Sequence, residues 1–428
     1  LLTKRFPFLI LCFWFSSSFA IASEREVSPE DLYALVTELQ ATVEAQQEQI
    51  ASLQETVTSL QQQQTAAPAP AGPEPLADKK VTGRTPVPVE APPGPKVSSR
   101  FDLSFYGYVK LDAAYDSQRT AVGDLAFFSR PDSGAGDDDS FSLTAKQTRF
   151  GMKVTAPEVR GWETRGRLEM DFYGSASDNA ANPRMRLAFL EWEKNDWTIL
   201  AGQQYDAWNT ILPKTVNFAT MGRHGALWSR RPQIRATRTV DLNGGGSIEA
   251  TIGAARTIGL TDIDAAGDGM DGGEDSGLPM VQWNLRYNPG GTMEEVTVAL
   301  GGHYGSEDVE RNARFREESY VTSLLIGSVH FPLRDTFTLS GTLWTGENLG
   351  NWQGGIGQSL NLAGNTEIAA TGGWIQASWY PLADLNLNVA YGLDDPKNKD
   401  LKDGQMERNE TWFTNLYWMF LPSTTFAL

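Results

Sequence analysis

Arginines and acids alternate along one short stretch, Thr164-Arg165-Gly166-Arg167-Leu168-Glu169-Met170-Asp171-Phe172. Guanidinium groups spaced two residues apart on an extended backbone are fixed, permanently charged donors for carboxylate or phosphate oxygens. A ring of such groups makes a water-filled passage favour anions. Neighbouring segments carry Arg149 and Lys153, Arg184 and Arg186, and Arg235 behind Arg230 and Arg231. The candidate solute-contacting set is therefore Arg149, Lys153, Arg165, Arg167, Glu169, Asp171, Arg184, Arg186, Arg230, Arg231 and Arg235. The competing reading pairs each arginine with Glu169, Asp171 or another acid and makes it a wall stiffener. Catalytic sets are missing: His224, His303 and His330 stand far apart, with no Ser-His-acid grouping and no metal-ligand spacing. No enzyme activity, cofactor, metal or nucleic-acid partner is expected.

The elements that must position these residues are strands. From Phe101 onward polar and apolar residues alternate, as in Phe101 to Asp112, Arg184 to Phe189, Val296 to Tyr304, Phe337 to Leu343 and Leu385 to Leu393. Long polar segments occupy about 117–140, 174–183, 209–231, 257–279, 305–318, 345–371 and 394–410. Tight turns fall near Pro157, Asn195, Asn243, Pro289, Pro332, Pro381 and Pro422. Long outer loops alternating with short periplasmic turns, on strands of about ten residues, is the pattern of an outer-membrane β-barrel. The count is about fourteen complete strands and a fifteenth begun at Thr424, so a closed barrel of about sixteen is expected, its last strands lying beyond Leu428. Apolar side chains face lipid and polar ones the lumen. This places Leu168, Met170 and Phe172 outward, with Met185 and Leu187 outward on either side of Arg186. The loop at 209–231 carries Leu212, Pro213, Lys214 and Phe218, apolar enough to fold inward and narrow the channel. The 13 Trp, 20 Phe and 12 Tyr suit interfacial belts against lipid and lipopolysaccharide. The net charge is −17, yet the acids concentrate in loops, at Asp137, Asp138 and Asp139 and at Asp262, Asp264, Asp268, Asp271, Glu274 and Asp275. They are read as solvated charge, with cation bridging to lipopolysaccharide as the alternative.

Residues 1–22 read as a signal peptide: Lys4 and Arg5, an apolar run from Phe6 to Phe15 holding the one cysteine, Cys12, then Ala20-Ile21-Ala22. Residues 28–64 read as a periplasmic coiled coil, opening at Ser28-Pro29-Glu30-Asp31. Its seam is Leu32, Val36, Leu39, Val43, Gln46, Ile50, Leu53, Val57 and Leu60. The seam by itself leaves dimer and trimer open. Residues 65–100 are a Pro/Ala-rich linker with no core-forming pattern, and 101–428 form the barrel.

Five motifs together carry a family resemblance. They are Phe105-Tyr106-Gly107-Tyr108-Val109-Lys110-Leu111-Asp112, Thr148-Arg149-Phe150-Gly151-Met152-Lys153, Leu200-Ala201-Gly202-Gln203-Gln204, Arg231-Pro232-Gln233-Ile234-Arg235, and Tyr391-Gly392-Leu393-Asp394-Asp395-Pro396. With them the chain resembles the DcaP-like outer-membrane porins over nearly its whole mature length. That resemblance implies a trimer of sixteen-stranded barrels taking up small carboxylic, often dicarboxylic, acids. It places pore arginines at Arg149, Arg165, Arg167, Arg186 and Arg235. The expected function is passive, anion-preferring diffusion of small solutes across the bacterial outer membrane. A sugar-type porin would need an aromatic file along the lumen, for which Tyr106, Tyr108 and Trp344 are candidates. A tether from the outer membrane to peptidoglycan or another periplasmic partner is the structural alternative.

Overall fold

The two-residue period becomes fifteen antiparallel strands joined edge to edge in chain order. The computed structural model describes residues 101–428 except 123, 132–137, 176–180, 244, 260–270, 292 and 310–317. The leader, the coiled-coil seam and the linker expected over 1–100 lie outside the described residues, as do Asp137, Asp262, Asp264 and Asp268. The strands of the large sheet are β1 (Asp102–Tyr108), β2 (Arg149–Val159), β3 (Trp162–Asp171), β4 (Arg184–Lys194), β5 (Trp197–Tyr205), β6 (Arg230–Asp241), β7 (Ser247–Ala255) and β8 (Met280–Asn288). They continue as β9 (Thr297–Val309), β10 (Glu318–Arg334), β11 (Phe337–Glu347), β12 (Ala369–Leu382), β13 (Leu385–Pro396), β14 (Asn409–Leu421) and β15 (Thr424–Ala427). Among the described residues no helix is long and apolar enough to cross a membrane.

Register makes one face of this sheet continuously apolar. Leu285 stands opposite Leu300, Leu300 opposite Gly327, and Gly327 opposite Leu343. Leu343 then faces Gly373, while Ile375 faces Tyr391 and Tyr391 faces Trp412. These side chains are exposed, Leu343 at 77% and Trp412 at 73%, a pattern affordable only where the surrounding medium is hydrocarbon. The opposite face carries the sheet's buried polar groups, among them Glu169, Arg231, Gln282, Asn284, Gln376 and Asn388.

Long and short connections alternate as the sequence predicts, but several short turns fall later than the prolines that announce them. The chain stays extended through Pro157 and reverses at Arg160-Gly161, both with positive φ, the geometry of a two-residue hairpin. Pro332 and Pro381 likewise lie inside β10 and β12, at register shifts just before their turns. Proline donates no hydrogen bond to a ladder, so it is confined to strand ends and bulges. β9 and β10 also run further than the pattern suggests, to Val309 and from Glu318, into the 305–318 span expected to connect them.

One expectation about facing is corrected. Leu187 stands opposite Glu169, whereas Met185 stands opposite Met170, so Arg186 is an extra residue in β4. Such a bulge inverts the alternation beyond it. Leu187, Phe189, Glu191 and Glu193 therefore share the inner face with Glu169, Arg167, Arg165 and Glu163. Leu187 is 3% exposed rather than lipid-facing.

Candidate functional site

The bulge gathers the charges. Arg186 donates to Glu169 and to Asp171, each at 2.9 Å, and to the Tyr205 hydroxyl at 3.1 Å. Arg184 grips Asp171 with two bonds, at 3.0 and 2.8 Å. Arg167 donates to Glu169 at 2.9 Å and to the Tyr106 hydroxyl, which in turn donates to Glu169 at 2.8 Å. Arg149 approaches Glu169 at 3.5 Å. Lys153 lies over the Tyr106 ring, and Arg230 over Tyr205 and Trp228. Glu169 and Asp171 are almost wholly buried. The ion-pair reading holds for Arg149, Arg167, Arg184 and Arg186. The two acids hold four arginines, and with Lys153 and Arg230 alongside, the cations outnumber these carboxylates among the described residues.

Arg165 is different. Its Nη2 lies 2.9 Å from Glu163 and 2.8 Å from Glu193, and Glu191 stands 3.9 Å from Nη1. Three acids around one arginine make that part of the wall negative. Arg231 departs further from the candidate set. It is fully enclosed, with its Nε 2.8 Å from Asp206 and its guanidinium 4.2 Å from the Trp352 ring centre. It contacts no open space and holds structure. Arg235 lies on the inner wall and donates to the Tyr205 carbonyl at 3.2 Å.

The long segment between β5 and β6 leaves the sheet beside these arginines and docks on strands far from them. The Ala207 amide donates to Gln282 of β8 at 2.8 Å, and the Thr210 hydroxyl meets Ser328 of β10 at 2.6 Å. The Lys214 amide donates to Gln376 of β12, and its carbonyl accepts from Gln376 and from Asn415 of β14. Trp344 of β11 donates to the Gly225 carbonyl at 2.7 Å. Gly225 has φ +105°, and a Cβ there would lie 2.0 Å from the Gly373 carbonyl oxygen. The segment is therefore pressed against the inner face. Of its expected constriction residues, Pro213 is buried, Leu212 lines a cavity and Lys214 stays exposed over the Tyr417 ring. Phe218 stacks on Tyr173 at 4.4 Å and lies under the guanidinium groups of Arg184 and Arg186.

Sequence reasoning missed the seats of this loop. The inner faces of β12 to β14 carry neutral amides: Asn388 donates to Asn386 and to Asn415, and accepts from Ser378. The segment after β11 supplies Trp352, stacked on His303 at 4.4 Å. Alternation alone marks these positions as inward but not as loop seats. Trp344 is 4% exposed, so it offers no face to a passing solute. His224 bonds the Ala126 carbonyl and Asn409, and burial pushes its imidazole below the ordinary histidine value.

An antiparallel sheet with an apolar outer face, a charged inner face and a loop folded onto that inner face is the architecture of a porin. The fold is that of outer-membrane channels. The outer membrane channel DcaP of Acinetobacter baumannii matches with a TM-score of 0.61 at 18% identity, covering 76% of this chain and 89% of that one. An anion-selective porin from Comamonas acidovorans matches with a TM-score of 0.50 at 14% identity, covering 76% of this chain and 87% of that one. No protein-family model matches the sequence, and no curated protein sequence matches it. At these identities the likeness is one of fold.

Proposed function

We propose that the chain is a passive, anion-preferring channel of the bacterial outer membrane, closed into a barrel of sixteen strands, with its N-terminal coiled coil in the periplasm. The observation that carries this reading is the positive surplus on the inner wall of β2 to β6. There, among the described residues, Glu169 and Asp171 are the acids paired with Arg149, Arg167, Arg184 and Arg186, while Lys153 and Arg230 lie on the Tyr106 and Tyr205 rings without an ion pair. The arginines are rigid because the acids hold them. A solute carboxylate therefore meets donors already in place, with little ordering left to do. The loop carrying Phe218 forces solutes past them. We take small carboxylates, dicarboxylates among them, as the solutes, since several fixed cations within one patch suit two anionic groups. Trimeric assembly is part of the same proposal and would be read from the mass of the detergent-solubilised protein. Uptake into liposomes carrying the purified protein tests the channel reading. A small dicarboxylate should enter several-fold faster than a neutral sugar of similar size. Faster entry of the sugar would overturn the anion reading.

A further inference from the structure

We propose a second solute site in the same channel, suited to a hydroxylated monocarboxylate of the sugar-acid kind. It rests on the channel reading above. The site is a chamber of about 370 Å³ between residues 206–212 of the crossing loop and the inner faces of β6, β7 and β8. At roughly 30 Å³ per water it holds about a dozen waters, room for one small solute. Thr237, Glu249 and Arg286 lie in the halves of their strands nearer the short turns, and Thr251 lies at the middle of its own. The chamber is thus on the periplasmic side of the arginine patch, whose Arg184 and Arg230 begin their strands at the long loops.

Its charges admit one anionic group. Arg235 makes no ion pair among the described residues and bonds only to the Tyr205 carbonyl and the Gln233 amide oxygen. Arg286 is matched by Glu249 at 3.2 Å, and Asp206 by Arg231. One cation is left over, against four in the arginine patch. A second carboxylate would sit against Glu249. The rest of the lining is built for hydroxyl groups. Gln204, Asn209 and Thr210 face Thr237 and Thr251, whose hydroxyls lie 2.9 Å apart. Asn209 Nδ2 and Arg286 Nε are buried donors with no hydrogen-bond partner among the described residues, and buried donors are costly unless a ligand or water satisfies them. Ile211 and Leu212 give an apolar floor for carbon–hydrogen faces.

Single-channel recordings of the full protein in planar bilayers test this, with gluconate, glucitol and succinate as probes in potassium chloride. Gluconate should interrupt the current in a saturable way and glucitol should not. Arg235→Gln should weaken the gluconate interruption about tenfold and the succinate interruption much less. Asn209→Ala and Thr251→Val, which keep the charge, should weaken gluconate and leave succinate unchanged. Gluconate acting no more strongly than acetate would overturn the site, as would equal weakening of gluconate and succinate in Arg235→Gln. A protein that inserts but carries no current would overturn the channel reading itself.

Discussion

Replacing Arg231 by Met probes how the crossing loop is held. The side chains of Arg231 and Asp206 have no solvent exposure and meet at 2.8 Å. The guanidinium also donates to the Arg256 carbonyl at 3.1 Å and to Ser229 at 3.0 Å, and it covers Trp352. Arg231→Met leaves the Asp206 carboxylate buried with Gln282 as its remaining side-chain donor. Breaking a buried ion pair from one side costs about 3–5 kcal/mol, because the orphaned charge is not rehydrated. Asp206→Leu should cost a similar amount for the same reason. The double variant removes both charges, and apolar replacements of buried pairs are often near neutral. Its loss should therefore fall below the sum of the single losses by at least about 2 kcal/mol. Urea unfolding in lipid bilayers, followed by tryptophan fluorescence, measures all three. Single losses below about 1 kcal/mol, or additivity within about 0.5 kcal/mol, would refute the reasoning.

Other perturbations address separate parts of the structure. Leu343→Arg places a charge in the middle of β11 on the outer face and should cost about 2–4 kcal/mol in bilayers; a loss near zero means that face meets water. Gly225→Ala drives a methyl group into the Gly373 carbonyl and should lift the loop from the wall, seen as a larger single-channel conductance. Burial keeps His224 neutral between the Ala126 carbonyl and Asn409. Its pKa in the folded state lies below its unfolded value of about 6.5, so its contribution is complete above that pH and falls as acidification continues. Current noise should therefore rise below about pH 6.5 in the native channel and not in His224→Phe, while equal noise in both proteins contradicts the assignment.

How far the sequence reaches is seen best at β4. Alternation sets Arg184 and Arg186 on the face of Glu169 and Asp171, and both arginines bond these acids. It misplaced Leu187 because one extra residue inverts that parity, and a bulge leaves no composition signal in Arg-Met-Arg-Leu. The alternating loop lengths were legible since only the outer side of such a sheet has room for long connections. The partner of Arg231 was not legible. Asp206 lies at the other end of the long loop, just after β5, and only the docked loop decides that the pair is sealed from solvent. The same holds for Arg165, which looked equivalent to Arg167 until the register set Glu191 and Glu193 beside it.

The central claim is that the surplus of fixed cations beside the crossing loop sets the channel's preference. The reversal potential under a potassium chloride gradient measures this directly. Chloride preference is expected in the native channel, greatly reduced when Arg184 and Arg230 are both changed to Gln, and little altered by Arg165→Gln. Cation preference in the native channel, or an equal response to all these changes, would contradict it.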